Sequence, residues 1–575
     1  MISRTLLRPI LASARNSLTL TCKKTLSTMV KTIAVLDESE LKDGQLKEVE
    51  FESGKVLLSR LGDKIHATSA WCTHFGAPLA QGVLAADGRV LCPWHGACFN
   101  VCTGDIEDAP APAALHSFKV NVVDGKIHVT ANPESTIKEN MKRNPRLLTE
   151  DTSFKTGLII VGGGSGAFYA VESLREHGYK EPITIISKEQ YAPIDRTKLS
   201  KALITDPAAI MWKTPADLKI KYGTTLRLGA EVTSVDLKNK TVTIDNGADT
   251  LSYEKLILAP GGIPRKLPIE GADLENVFTF RGIPDAKNVD AAAQEGKRAV
   301  FIGSSFISME IVVAVLKRKL ASIDVIGMEE VPFEGVLGKE VGAGLKKYFE
   351  SQGVKFHMKT KVEKIVAKED DPKLASGVVV NGETLPADFV VMGVGVRPAT
   401  DFLKGSGIDI EKDGGVRVDE HLRVRTGPDT ENVYAIGDIA IYPQLHGSEV
   451  RIEHWSVAGN QGRAAGKNIS GSPQPFIKIP IFWSTQSAQL RYCGISHKYD
   501  EVIVKGDPSQ SKFIAYYVQG GRIVGVSSMQ NDPVVTKAAE LLRLDLMPSP
   551  ADIKAGGDLL SIDISTSGSL KKVVS

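Results

Sequence analysis

Two short pairs of metal-ligating residues stand close together in this sequence: Cys72-Thr-His74 and, 17 residues further on, Cys92-Pro-Trp-His95. Two thiolates and two imidazoles suit a single tetrahedral zinc ion. They also suit a two-iron, two-sulfur cluster in which the cysteines hold one iron and the histidines the other. The spacing favours the cluster, because zinc pairs ordinarily leave two or more residues between ligands, whereas Cys72 and His74 leave one. Replacing two charged ligands by two neutral ones raises the cluster potential, so the chemistry implied is one-electron transfer. Four of the six cysteines, Cys72, Cys92, Cys98 and Cys102, crowd into one stretch, with Cys22 and Cys493 far away. That clustering argues against a distributed disulfide framework. Cys98 and Cys102 read as small packed side chains.

A second kind of chemistry lies downstream. The apolar run GLIIV leads into Gly162-x-Gly164-x-x-Ala167, a helical stretch follows, and Glu189 ends the next apolar run, PITIISKE. Glycines allow a tight turn and close approach of a pyrophosphate, the helix start offers N–H donors, and the carboxylate accepts from a ribose. Strand, turn, helix, strand and acid in that order predict a dinucleotide site. RAVFIGSSFISMEIVVAV repeats the pattern with Gly303-x-Ser305-x-x-Ser308. Here the expected acid is missing: Gly327 takes its place, Glu329 and Glu330 stand out of register, and no adjacent arginine marks a 2′-phosphate pocket. NADH and NADPH are therefore both left open.

The elements that must position these residues fall into distinct textures. Residues 30–132 carry short apolar runs broken by Gly, Pro and Asp, the pattern of small antiparallel hairpins, and predict an all-β module. Residues 133–156 are polar and read as a linker. Then come β-branched bursts such as KLILAPGG, ADFVVMGVG and NVYAIGD, separated by helical stretches, as in parallel sheets covered on both faces. Residues 475–575 mix strands with the helical TKAAELLRL and predict a smaller α+β domain.

At 575 residues the chain must divide into several domains. The net charge is +2, and the first 28 residues contribute five basic side chains and no acid, so the remainder is mildly acidic. That balance argues against nucleic-acid binding as the main function. Residues 1–28, rich in Arg, Ser, Thr and Leu, have the composition of a mitochondrial presequence, and Met29 offers a second start for a cytoplasmic form. No apolar run reaches the roughly 18 residues of a transmembrane helix.

The flanks CTHFGAPL and CPWHGACFN resemble Rieske ferredoxins. Respiratory Rieske proteins carry an extra cysteine in each loop, where this sequence has Ala77 and Trp94, so the resemblance is to the lower-potential type. From Gly157 onward the chain resembles flavoprotein reductases with two dinucleotide domains, especially the ferredoxin reductases of oxygenase systems. The whole resembles the apoptosis-inducing-factor-like Rieske flavoproteins. That resemblance implies a multidomain protein in which an all-β Rieske domain (30–132) is followed by an α/β flavoprotein reductase. The FAD-binding domain would take 157–290 and 415–474, the NAD(P)H-binding domain 291–414, and a C-terminal reductase domain 475–575.

The cofactors implied are FAD, a Rieske 2Fe-2S cluster on Cys72, His74, Cys92 and His95, and NAD(P)H as donor. Gly162, Gly164, Ala167 and Glu189 would hold FAD, with Arg196 and Lys201 turned toward the flavin. Gly437 and Asp438 of NVYAIGD match the family's ribityl and phosphate motif, and His454 and Trp455 of the Glu453-His454-Trp455 run match its flavin lining. Gly303, Ser305 and Ser308 would take NAD(P)H, with Glu310 facing the nicotinamide. Lys201 and Glu310 would tune and orient the reactants, with no side-chain acid, base or nucleophile required. The histidine ligands would form the exit toward an unidentified electron acceptor.

No Cys-x4-Cys pair follows Glu189, so no dithiol relay is available. A mononuclear oxygenase iron on His446, Glu453 and His454 conflicts with the flavin-lining match. The competing function is a redox-sensing or apoptosis-signalling role in which turnover is incidental. A homodimer is compatible with either.

Overall fold

The computed structural model describes residues 29–143, 153–445, 448–495 and 498–566. The presequence assignment, and His446 of the oxygenase alternative, lie outside the described residues. Residues 31–131 form a six-stranded antiparallel sheet, with Lys31–Asp37 and Leu46–Phe51 at its edges, and a four-stranded sheet over residues 83–108 that carries the second ligand loop. Inside the supposed linker, Lys142–Arg143 pairs with Ala114–Leu115, so the chain remains part of this domain until at least Arg143.

The β-branched bursts form two parallel five-stranded sheets. The first runs Thr224–Leu228, Ile183–Ser187, Leu158–Val161, Lys255–Leu258 and Val433–Ala435. Leu158 to Val161 are all buried, as a strand covered on both faces requires. The helix Ser165–Glu176 lies against the helix Trp455–Ile469 at very short range. A Cβ on Gly462 would stand 2.3 Å from the Gly166 carbonyl oxygen, so only glycine lets the two backbones meet. The second sheet runs Val277–Phe278, Phe389–Met392, Arg298–Ile302, Ser322–Ile326 and Val354–His357. Val277–Phe278 thus joins the second sheet although it falls within 157–290; two residues are too few to show periodicity.

The end domain is a five-stranded antiparallel sheet over 481–529 with the helix Val534–Arg543 on one face. This domain and the iron–sulfur module share one apolar core: Val83, Leu91 and Cys98 pack with Cys493, Val526 and Leu541. Ion pairs surround it, Arg89 to Glu540 at 2.6 Å and Lys478 to Asp108 at 2.7 Å. Thr536 Oγ1 donates to the Cys92 carbonyl at 3.2 Å, so the reductase holds the ligand loop itself.

Candidate redox centre

The two ligand loops close in the same way. Cys72 N–H donates to the Ala77 carbonyl and Gly76 N–H returns to the Cys72 carbonyl; Cys92, Ala97 and Gly96 repeat both bonds. Gly76 and Gly96 sit at φ +72° and +70°, the left-handed turn that glycine adopts without strain. Cys72 and Cys92 are buried side by side, close enough for each thiol to act on the other's ionisation. The His74 and His95 Nδ1 atoms face each other at 3.1 Å. Among the described residues no three His, Cys, Asp or Glu side chains converge on one metal-sized point. A sulfur pair and a separate nitrogen pair fit a two-iron cluster and do not fit mononuclear zinc. Burial, then the Lys198 and Lys142 charges, push His74 down to about 3; burial, then His74 and Arg491, hold His95 well below its ordinary value. Both imidazoles are therefore neutral, the form that ligates metal.

A cavity of about 890 Å³ runs between the two parallel sheets and the end domain. Gly162, at φ +109°, passes so close to the Ala259 carbonyl that a Cβ would stand 2.0 Å from it. Gly164 has open space where its Cβ would be and caps the helix Ser165–Glu176, so unpaired N–H groups face the cavity. Glu189 is fixed by Arg196 at 2.8 Å and the Tyr191 hydroxyl at 2.9 Å, and Asp438 by Arg281 at 2.6 Å. Two buried donors, Trp455 Nε1 and Ser308 Oγ, have no partner among the described residues and lie in the cavity wall. A cradle of this size with unpartnered donors fits a dinucleotide. Ser305 lies in the same wall, but Ala167 and Gly303 do not. Ala167 is fully buried in helix packing, and a Cβ on Gly303 would stand 2.3 Å from the Gly393 carbonyl, so both shape the turns from behind. The Gly437 N–H is already donated to Gln461 Oε1 at 2.6 Å, which removes it as a phosphate donor.

Glu310, 3% exposed, ties the domains together at the cavity. It accepts from Lys201 at 2.8 Å, from the Ser484 hydroxyl at 2.6 Å, from the Thr485 N–H at 3.2 Å and from the Ser200 hydroxyl. These partners come from the first dinucleotide domain and from the end domain, while Glu310 itself stands on the second. His454 caps the helix Trp455–Ile469, its Nδ1 accepting from Ser456 N–H at 3.2 Å. Burial, then Lys201, push it down to about 3.

Trp483, which no sequence motif marks, occupies the middle of the site. Its ring lies 4.5 Å from His95 and 5.6 Å from His74 on one side and 5.2 Å from His454 on the other, and it lines the cavity. His74 and His95 are only 5% and 6% exposed. The histidine edge, expected to be the exit toward an acceptor, is covered by Trp483 on the side that faces the dinucleotide cavity, because the end domain packs onto it there. Cys98 is packed as expected, whereas Cys102 is exposed, with Sγ 3.5 Å from His66 Nε2.

Three family descriptions match the chain: a Rieske [2Fe-2S] domain over residues 31–119, a pyridine nucleotide-disulphide oxidoreductase over 156–462 and a reductase C-terminal domain over 481–558. Among similar proteins, apoptosis-inducing factor 3 of Mus musculus is 38% identical over 88% of this chain and 82% of its own length. Rhodocoxin reductase of Rhodococcus erythropolis is 31% identical over 70% of this chain and 92% of its own. A ferredoxin reductase structure from Rhodopseudomonas palustris aligns over 71% of this chain and 99% of its own, with 26% identity and a TM-score of 0.65. The chain belongs to the apoptosis-inducing-factor-like flavoproteins, in which a Rieske [2Fe-2S] domain is joined to a reductase of the pyridine nucleotide-disulphide oxidoreductase family.

Proposed function

We propose that this chain is an oxidoreductase that takes electrons from NAD(P)H and passes them through FAD to its Rieske 2Fe-2S cluster and on to an acceptor. The observation that carries this reading is the Trp483 ring, which touches both cluster histidines and walls the dinucleotide cavity. FAD, when bound, supplies the conversion of a two-electron donor into one-electron steps. The protein contributes position and dryness. Gly162 and Gly164 shape the turn for the pyrophosphate, and Glu189, held by Arg196, is the ribose acceptor. Glu310 orients the nicotinamide edge and is itself held by Lys201 and Ser484. Neutral His74 and His95 would hold the cluster, and their Nδ1 atoms already face each other. His454, Phe482 and Trp483 keep water out of the wall between cavity and cluster.

Anaerobic titration of the purified protein with NADH and with NADPH tests this reading. Flavin bleaching followed by the paramagnetic signal of a reduced Rieske cluster is the expected course; bleaching with no cluster signal defeats it. The basic composition of residues 1–28 supports a mitochondrial address, with a cytoplasmic form from Met29. Imaging a fluorescent protein carrying residues 1–28 tests the address, and a diffuse cytoplasmic signal would refute it.

A further inference from the structure

With both histidines sealed against the reductase, an electron needs another way out of the cluster. The residue after His74 provides it. Phe75 stacks on the His74 ring, with centroids 3.8 Å apart and planes inclined by 20°. It is 39% exposed, a large aromatic at the surface directly beside a buried ligand. Lysines surround it. Lys198 Nζ lies 4.9 Å from the Phe75 ring centre, and the Lys138 side chain lies against Gly76, its Cε 2.6 Å from where a Cβ would be. Lys142 is exposed nearby, on the short strand that pairs with Ala114–Leu115, and Thr73, the residue before His74, donates to the adjoining Ala113 carbonyl at 2.5 Å.

Counter-charge is scarce among the described residues of this surface. Lys138, Lys142 and Lys213 make no ion pair among the described residues, and Lys198 reaches only the buried Asp195, at 4.0 Å. Glu139 is exposed in the same turn as Lys138. A basic collar around an aromatic contact is complementary to an acidic protein surface, and such charge steers encounter and sets orientation.

We propose that the surface centred on Phe75, with Lys138, Lys142 and Lys198 around it, is where an acidic one-electron carrier protein docks to take electrons from the cluster. Each docking moves one electron from the reduced cluster to the oxidised carrier; no bond changes and no proton is transferred. Two dockings dispose of the electron pair from one NAD(P)H. The proposal rests on the electron-transfer reading above.

Its test uses the full-length holoprotein and two forms of one probe: native cytochrome c, whose surface is basic, and succinylated cytochrome c, whose lysines have become carboxylates. Equilibrium binding is measured for the wild type, for Lys138→Glu/Lys142→Glu and for the milder Lys142→Gln. The wild type is expected to bind the succinylated form and not the native one, more weakly as salt rises. The double variant is expected to lose at least about tenfold in affinity for it, Lys142→Gln less, with cluster reduction by NADH unchanged. Equal binding by wild type and double variant, or a wild-type preference for native cytochrome c, would overturn the proposal. So would lysine-dependent binding to phosphatidylserine vesicles without binding of the succinylated probe. Failure of NADH to reduce the cluster would instead sink the electron-transfer reading, and the binding measurement reads separately from it.

Discussion

The His95 imidazole and the Trp483 indole lie 4.5 Å apart between ring centres, tilted by 41°, across the boundary between the Rieske domain and the end domain. The contact is built into a shared apolar core and flanked by the Arg89–Glu540 and Lys478–Asp108 pairs, so the docked arrangement is the resident one. Trp483 is 4% exposed, and truncation to alanine would cost about 3–5 kcal/mol of stability. Trp483→Phe and Trp483→Leu separate stability from transfer. Leucine is expected to slow the appearance of the reduced-cluster signal after rapid mixing with NADH, phenylalanine less so, with flavin reduction keeping its rate in both. Equal cluster kinetics in all three proteins would remove Trp483 from the path.

Glu310 brings a second prediction. Its carboxylate answers Lys201, Ser200, Ser484 and Thr485 together, and an amide cannot accept at both ends. Removing one partner of a buried pair costs about 3–5 kcal/mol; Lys201 keeps some access to solvent through the cavity, which holds the loss near the lower end. Glu310→Gln is expected to lower the melting temperature and raise KM for the nicotinamide donor. Adding Lys201→Met removes the stranded ammonium and should restore part of the melting temperature without restoring KM. Recovery of both would make Glu310 purely structural.

His454 sets a pH dependence. An unfolded histidine titrates near 6.5, and burial, then Lys201, place this one at about 3 in the folded protein. Between those values the unfolded chain binds a proton that the folded chain does not. This group therefore contributes full stability above about 6.5 and loses it as pH falls toward 3, by up to about 1.4 kcal/mol per pH unit. Asparagine is a good helix cap and can still accept from the Ser456 N–H. His454→Asn is expected to lose less thermal stability than the wild type on going from neutral to mildly acidic buffer. Identical losses would show that His454 is not held neutral.

The continuous apolar bursts and the Cys-x-His and Cys-x-x-His spacing made both parallel sheets and the two paired loops legible in advance. Covered strands have one pattern, and the paired loops have another. What stayed hidden lies between domains. Trp483 in PIFWST looks like any strand aromatic until the domain on its other face is known. Nothing local to His74 or His95 records that the end domain covers them. The Val277–Phe278 and Lys142–Arg143 strands, at two residues each, carry no period to detect. Cys102, expected to be packed, is exposed beside His66, since burial of a cysteine is a tendency and not a pattern.

The missing acid of the second dinucleotide turn has a structural answer, and it bears on nucleotide choice. Gly327 stands at the expected position, but the chain folds back there: Gly327 N–H donates to the His357 carbonyl, and Lys359 N–H to the Glu329 carbonyl. The Glu329 carboxylate thereby reaches the turn, accepting from the Ser304 hydroxyl at 3.4 Å. The nearby lysines do not neutralise it, because Lys339 and Lys359 both pair with Glu330, at 2.9 and 3.2 Å. An unneutralised carboxylate beside the dinucleotide turn accepts from a ribose 2′-hydroxyl and repels a 2′-phosphate. The wild type is expected to use NADH with a kcat/KM at least about tenfold above that for NADPH, since like charges at such range cost upward of 1.4 kcal/mol. Glu329→Gln should narrow that gap chiefly by improving NADPH, whereas a variant still rejecting NADPH, or a wild type preferring it, would assign the discrimination elsewhere.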